Sequence, residues 1–211
     1  MPLEKIVLEA ERAWALWRIT EDEDALSALL ESIESPPASI TNSNKRLEWI
    51  AGRVLVKEVF NRMQIPFQGI IKDEYGKPYP AGYAYHLSLS HSYPYVAAIF
   101  DKRASVGIDL EQPKDKLLRV AQRIHSATEL QDAGTDIVKH CIYWCAKETL
   151  IKIHGKKDLV FAENMRIEPF ELRQEGDLRG RIIVPGGITI IPLRYIIFDS
   201  FVIVFNLHSQ S

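Results

Sequence analysis

The chain has 211 residues, of which 46% are hydrophobic and 26% charged, enough apolar material for one large domain or two small globular ones. Its net charge of -2 argues against nucleic-acid binding by bulk electrostatics, and no apolar run approaches the ~20 residues that would span a bilayer. The two cysteines, Cys141 and Cys145, imply no disulfide framework, and the first residues show no signal-peptide pattern, so a cytoplasmic protein is expected.

Trp14 to Ile19 reads as a short apolar strand, and Glu21 to Ile33 as a helix with acids at its start and Leu26, Leu29, Leu30 and Ile33 at helical spacing. Pro36-Pro37 breaks it. Asn44 to Met63 is the first long helix, with Leu47, Ile50, Val54 and Val59 on one face. Lys72 to Pro80, polar and rich in Gly and Pro, is expected to be a loop. Tyr85 to Ser92 alternates like a strand, and Tyr93 to Asp101 is its hairpin partner. Val106 to Glu111 follows as a short extended segment. Two short helices are expected after Pro113, then a second long helix from Asp136 closed by Gly155. From Met165 the chain alternates as antiparallel strands, with Gly186-Gly187 as a hairpin turn. The order of elements predicts an α+β fold of two pseudo-symmetric halves, 1–104 and 105–211. Each would pack one long helix on a small antiparallel sheet, with the active site at their interface.

Four segments carry residues suited to chemistry. In Val106–Glu111, Asp109 and Glu111 alternate onto one side of an extended chain. They are either a strand end in solvent or a site for a hard cation such as Mg2+. In the second long helix Trp144, Glu148 and Lys152 share a face, as an ordinary ion pair or as a third carboxylate beside a phosphate-binding ammonium. Ser90 and His91 end a strand, either in a hydrogen-bonded turn or as phosphate donors. Lys77 stands in a Pro-stiffened loop between Tyr75 and Tyr79, either in an ordinary turn of a kind many proteins have or where it covers a planar base and meets a phosphate. Cys141, Cys145 and His140 are conceivable metal ligands, but buried apolar thiols are the simpler reading. Together the segments point to a phosphorylated, nucleotide-like substrate handled with Mg2+. Neither a P-loop nor a dinucleotide-binding glycine motif is present.

In order and separation the segments resemble the 4'-phosphopantetheinyl transferase superfamily, in its larger single-chain surfactin-type class. The resemblance is carried by Gly107-Ile108-Asp109-Leu110-Glu111, by Trp144–Lys152 with Lys147-Glu148, by Ser90-His91-Ser92, by Gly76-Lys77-Pro78 and by Arg123–Leu130. It implies transfer of the phosphopantetheine arm of coenzyme A to a serine of an acyl or peptidyl carrier protein. It further implies Mg2+ on Asp109, Glu111 and Glu148, with Lys152 on the same phosphates. Ser90 and His91 would bind the nucleotide end, with His91 near the 3'-phosphate, Lys77 and Pro78 would flank the adenine, Arg53 and Arg46 would meet the 3'-phosphate, and Glu129 would help to deprotonate the nucleophile. Coenzyme A and the carrier are the implied partners, with no membrane or nucleic acid, and a monomer would suffice. Lys156-Lys157-Asp158 and His125 depart from the family pattern. A non-catalytic relative and a Mg2+-dependent pyrophosphate hydrolase are the competing readings.

Overall fold

The computed structural model describes residues 2–31, 33–156 and 158–208. It divides into two units, Met1–Val106 and Gly107–Ser211. Both mix helices with antiparallel sheet, the α+β class expected from the order of elements.

The first unit contains β1 (Leu3–Leu8), β2 (Arg12–Arg18), α1 (Glu23–Leu30), α2 (Ser43–Arg62), β3 (Ile70–Lys72), β4 (Pro78–Pro80), β5 (His86–Ser92) and β6 (Tyr95–Asp101). Its sheet runs β1-β2-β6-β5, antiparallel throughout. β2 is buried on both faces, so it reads as a continuous apolar run rather than an alternating one. Asn42 caps α2 by accepting from the Lys45 amide at 3.1 Å. The helix then buries Ile50, Ala51, Val54, Leu55, Val59 and Phe60, each worth roughly 2 kcal/mol for the larger side chains. Phe60 meets Phe67, Tyr83 and Phe100 edge-on.

Two features depart from the sequence reading. The stretch expected as a turn or loop supplies the turn of the β3–β4 hairpin at residues 73–77 but also its β4 strand, with Lys72 opposite Pro78 and Ile70 opposite Pro80. Gly76, at φ 89°, supplies the left-handed turn, and a two-stranded ribbon tolerates proline in strands that a central sheet would reject. β1 was not anticipated, because it is an edge strand with weak alternation, its apolar residues being half-buried or, at Leu8, exposed.

The second unit contains β7 (Ile108–Glu111), α3 (Lys116–Ile124), α4 (Ala127–Ala133), α5 (Ile137–His154), α6 (Phe161–Asn164), β8 (Met165–Ile167), β9 (Glu175–Val184), β10 (Gly187–Ile197) and β11 (Val202–Asn206). Its sheet order is β7-β11-β10-β9-β8, again antiparallel. Asp136 caps α5 by accepting from the Val138 and Lys139 amides at 2.9 and 3.0 Å, and Gly155 ends it at φ 78°. α5 buries Cys141, Ile142, Cys145, Ala146 and Leu150 in a core shared with Leu193, Tyr195, Val202 and Val204. Both cysteines are free and buried, matching the apolar reading. The β9–β10 hairpin turns at Pro185 and Gly186, beside the expected glycine pair.

Candidate functional site

In the second unit the site is built where β7 lies against α5. Gly107 allows this approach, because a Cβ there would sit 2.3 Å from the Thr149 carbonyl oxygen and 2.9 Å from Ile153. The Thr149 hydroxyl donates to the Val204 carbonyl at 3.0 Å and ties α5 to β11, the strand beside β7. Along β7, Leu110 is buried, and Asp109 and Glu111 alternate with it. The Lys152 ammonium closes on β7, donating to Asp109 Oδ1 at 2.8 Å and to the Ile108 carbonyl at 2.7 Å.

Glu148 lies one turn before Lys152 on the same stripe. Its carboxyl is pushed up to about 7, first by burial and then by the charge of Asp109, against the opposing pull of Lys152. The buried Cys145 thiol is pushed well up by burial, by Cys141 and by Asp109. Asp109 therefore stands among Cys145, Glu148 and Lys152. Glu111 is half-buried and pairs with the Lys116 ammonium at 2.8 Å, while its other oxygen accepts from the Gln112 amide at 2.9 Å. Trp144 stacks on Phe161 with ring centroids 5.6 Å apart.

Among the described residues no three carboxylate, imidazole or thiol groups stand in a finished ligand cluster, for Asp109, Glu111 and Glu148 or for Cys141, Cys145 and His140. His140 instead lies 3.0 Å from the Gly134 carbonyl. Asp109 is turned to Lys152 and Glu111 to Lys116. The donor set nevertheless fits a hard divalent cation: all three groups offer oxygen, and Glu148 is held up by burial and by the negative charge of Asp109, both of which a bound cation would offset.

Glu129 has a structural position. It caps α4 in a capping box with Ser126, accepts the Ile167 amide at 2.8 Å and pairs with Lys147 at 2.7 Å, both charges being buried. The Lys147 ammonium also donates to the Ile124 carbonyl at 2.8 Å, so one buried pair joins α3, α4, α5 and β8. His125, the departure from the family aromatic, stacks on His140 with centroids 5.2 Å apart. Its pKa is lowered to about 3, first by burial and then by Lys147, so it packs as a neutral ring. The Lys156–Asp158 loop contains Lys157, which lies outside the described residues. Asp158 accepts from His154 at 2.7 Å.

In the first unit Ser90 is buried and His91 is half-exposed at the end of β5. His91 Nδ1 lies 3.1 Å from Glu48 Oε2. The same oxygen takes the Lys45 ammonium at 2.6 Å, and Glu48 Oε1 accepts the Tyr93 amide at 2.9 Å. His91 and Lys45 overcome the cost of burial and hold the Glu48 carboxyl down at about 2. Lys77 donates to the Ser105 hydroxyl at 2.7 Å, and burial lowers its pKa. Pro78 opens β4.

The two arginines have carboxylate partners of their own. Arg46 forks onto Glu23. Arg53 is buried, pairs with Glu34 at 3.1 Å and lies 3.4 Å over the Trp49 ring. Glu34 in turn accepts the Ile70 amide at 3.0 Å, so Arg53 anchors β3 to α2. Sequence reasoning missed Glu48, Lys45 and Ser105. The three-residue spacing of Lys45 and Glu48 was the only local signal, and their link to His91 spans more than forty positions.

Residues 105–185 match the family model of the 4'-phosphopantetheinyl transferase superfamily. The chain is 32% identical over 149 residues to the 4'-phosphopantetheinyl transferase Sfp of Bacillus subtilis (strain 168), covering 65% of this chain and 63% of that protein. It is 33% identical over 122 residues to a 4'-phosphopantetheinyl transferase of Bacillus subtilis, covering 54% of this chain and 51% of the relative. It is 34% identical over 116 residues to 4'-phosphopantetheinyl transferase psf-1 of Bacillus pumilus, covering 51% and 49%. The chain thus spans about half to under two thirds of the length of these relatives. Gly107–Glu111, Arg123–Leu130 and Trp144–Lys152 all fall inside the matched stretch, so the resemblance to the 4'-phosphopantetheinyl transferase superfamily, and to its Sfp-like relatives, is carried by the segment that builds the Asp109–Glu148–Lys152 cluster.

Proposed function

We propose that the protein is a 4'-phosphopantetheinyl transferase that moves the phosphopantetheine arm of coenzyme A to a serine of an acyl or peptidyl carrier protein. The supporting observation is the cluster on β7 and α5: Glu148 is raised to about 7 by burial and then by the charge of Asp109, with the Lys152 ammonium 2.8 Å from Asp109. Buried like charges beside an ammonium suit a divalent cation and the pyrophosphate it carries. Asp109, Glu111 and Glu148 would hold Mg2+, which would supply charge neutralisation at the phosphate oxygens. Lys152 would keep its ammonium on the same oxygens as the bond breaks. Ser90, His91, Lys77 and Pro78 would receive the nucleotide end.

In the reaction the serine oxygen bonds to the β-phosphorus, the bond from that phosphorus to the bridging oxygen breaks, and adenosine 3',5'-bisphosphate leaves. The serine proton passes to a base or to water. Such a transfer relies on positioning and fixed charge rather than on a covalent enzyme intermediate. Glu129 is left out of the proton transfer, because its oxygens already take two amides and the Lys147 ammonium. Arg46 and Arg53 are left out of phosphate contact, since Glu23 and Glu34 hold them. The two units are proposed as versions of one α+β plan, since each has one long helix and an antiparallel sheet. All named residues belong to one chain, and a monomer is the proposed active form.

The test is release of adenosine 3',5'-bisphosphate from coenzyme A with Mg2+, followed by chromatography with and without an apo carrier protein. Release that requires carrier supports the transferase. Phosphopantetheine released without carrier would instead identify a hydrolase, and no release with any carrier would leave a non-catalytic binder.

A further inference from the structure

We infer that Asn206, at the end of β11, is a positioning residue: its side-chain amide fixes where β7 begins and so holds Asp109 in reach of Glu148 and Lys152. The role of that cluster rests on the transferase reading above. Asn206 itself belongs to none of the motifs that carry the resemblance and lies beyond residues 105–185, the stretch that matches the family model.

β7 is a strand of four residues at the edge of its sheet, with β11 as its neighbour. Its register against β11 runs from Glu111 opposite Val202 to Ile108 opposite Phe205. So short an edge strand has few ladder bonds to hold it, and a slip of one residue would turn Asp109 and Glu111 to the other face. Asn206 sits at the open end of this ladder. The Gly107 N–H donates to Asn206 Oδ1 at 3.0 Å, and the Asn206 N–H donates to the Gly107 carbonyl at 3.3 Å. Both backbone polar groups of Gly107 therefore end on one residue. The side-chain Nδ2 donates to the Leu207 carbonyl at 3.3 Å, which sets the amide the right way round for Gly107. Asn206 is only 6% exposed, so water competes little for these bonds.

These bonds close a frame of three elements. Thr149 ties α5 to β11 through the Val204 carbonyl at 3.0 Å. Lys152 ties α5 to β7 through the Ile108 carbonyl at 2.7 Å and Asp109 Oδ1 at 2.8 Å. Asn206 ties β11 to β7 at Gly107, where the Thr149 carbonyl leaves no room for a side chain. Asp109 follows Gly107 by two residues on the same side of the chain and so inherits its placement. An aliphatic side chain at position 206 would offer no acceptor and would leave the buried Gly107 N–H unpaired. Asn206 thus acts on the reaction through Gly107 and Asp109, by keeping β7 in place along α5.

The test compares the full chain as wild type, Asn206→Leu and Asn206→Ala, with Leu26→Ala as a control that loosens the core of the first unit away from β7. Mn2+ is the probe, and its binding in the presence of coenzyme A is followed by the electron paramagnetic resonance signal of the free ion. Both Asn206 variants are expected to bind Mn2+ at least ~10-fold more weakly and to lose a similar factor in kcat, with KM for the apo carrier within about 2-fold of wild type. Leu26→Ala is expected to lose stability and to keep its Mn2+ affinity within about 2-fold. A merely structural Asn206 would lower the melting temperature in the same way and leave Mn2+ affinity and kcat of the folded protein unchanged, which overturns the inference. Asn206→Ala leaves room for a water beside Gly107 and carries the test if Asn206→Leu does not fold. The two readings fail separately. Weakened Mn2+ binding in the variants of a protein that loads no carrier would overturn the transferase and keep the role of Asn206. Carrier loading by the wild type, with variants that match it in Mn2+ affinity and kcat, would do the reverse.

Discussion

At the residue scale, two carboxylates illustrate opposite uses of burial. Glu148 is pushed up to about 7 because burial and Asp109 both disfavour its charge. Glu48 is held down at about 2 because His91 and Lys45 outweigh its burial. The sign of the linkage for Glu48 follows. Its folded value lies below the ordinary 4.5, so its stabilisation is complete above that pH and is lost as the pH falls toward about 2. The shift corresponds to on the order of 3 kcal/mol at neutral pH, an upper figure because both partners are half-exposed. Urea unfolding should therefore show Glu48→Gln less stable than wild type near neutrality, with the gap closing as the pH is lowered from about 6 to about 3. A gap that stays constant would show that the ionised carboxylate is not what stabilises the fold. Asp109 is the second test at this scale. Asp109→Asn keeps the shape but removes the charge that Lys152 meets and that a cation would require. Transfer is expected to fall at least ~100-fold while the far-ultraviolet circular dichroism is unchanged. Near-normal turnover would place the metal site elsewhere.

At the element scale, much of the fold is legible because periodicity reports burial. The long helices read at Asn44–Met63 and Asp136–Gly155 are α2 and α5, and the alternation after Met165 is the β9–β10–β11 meander. What escaped depends on contacts that no local pattern encodes. β1 is an edge strand defined by its pairing with β2, and the β3–β4 ribbon is disguised by its prolines. The junction of β7 with α5 is intermediate, since Gly107 is visible in sequence but its reason is not. The glycine is required because the Thr149 carbonyl would lie 2.3 Å from a side-chain carbon. Gly107→Ala is expected to cost about 3 kcal/mol by overpacking against backbone that cannot yield. Specific activity should also drop, as Asp109 and Lys152 move apart. Gly186→Ala is the control, because nothing lies within 4 Å of its added carbon, and it should change stability by less than ~0.5 kcal/mol. Equal melting temperatures for the two variants would contradict this account of the junction.

At the scale of the whole molecule, the motifs were readable as isolated segments, and only folding shows which of their residues meet. Asp109, Glu148 and Lys152 come together from segments nearly forty residues apart. Glu129 shares the same family pattern but ends in a buried pair with Lys147, and Arg46 and Arg53 end on Glu23 and Glu34. Sequence shows which residues are charged but not which charges are already paired, because those partners lie on other elements. Among the described residues no helix is long and apolar enough to cross a membrane. These residues are proposed to transfer a phosphopantetheine arm. The most direct measurement is the intact mass of an apo carrier protein after incubation with this protein, coenzyme A and Mg2+, beside a carrier whose acceptor serine is replaced by alanine. The expected result is a gain of one phosphopantetheine on the native carrier, none on the alanine carrier and none when the metal is chelated. An unchanged mass across acyl and peptidyl carriers, with the protein folded, would contradict it.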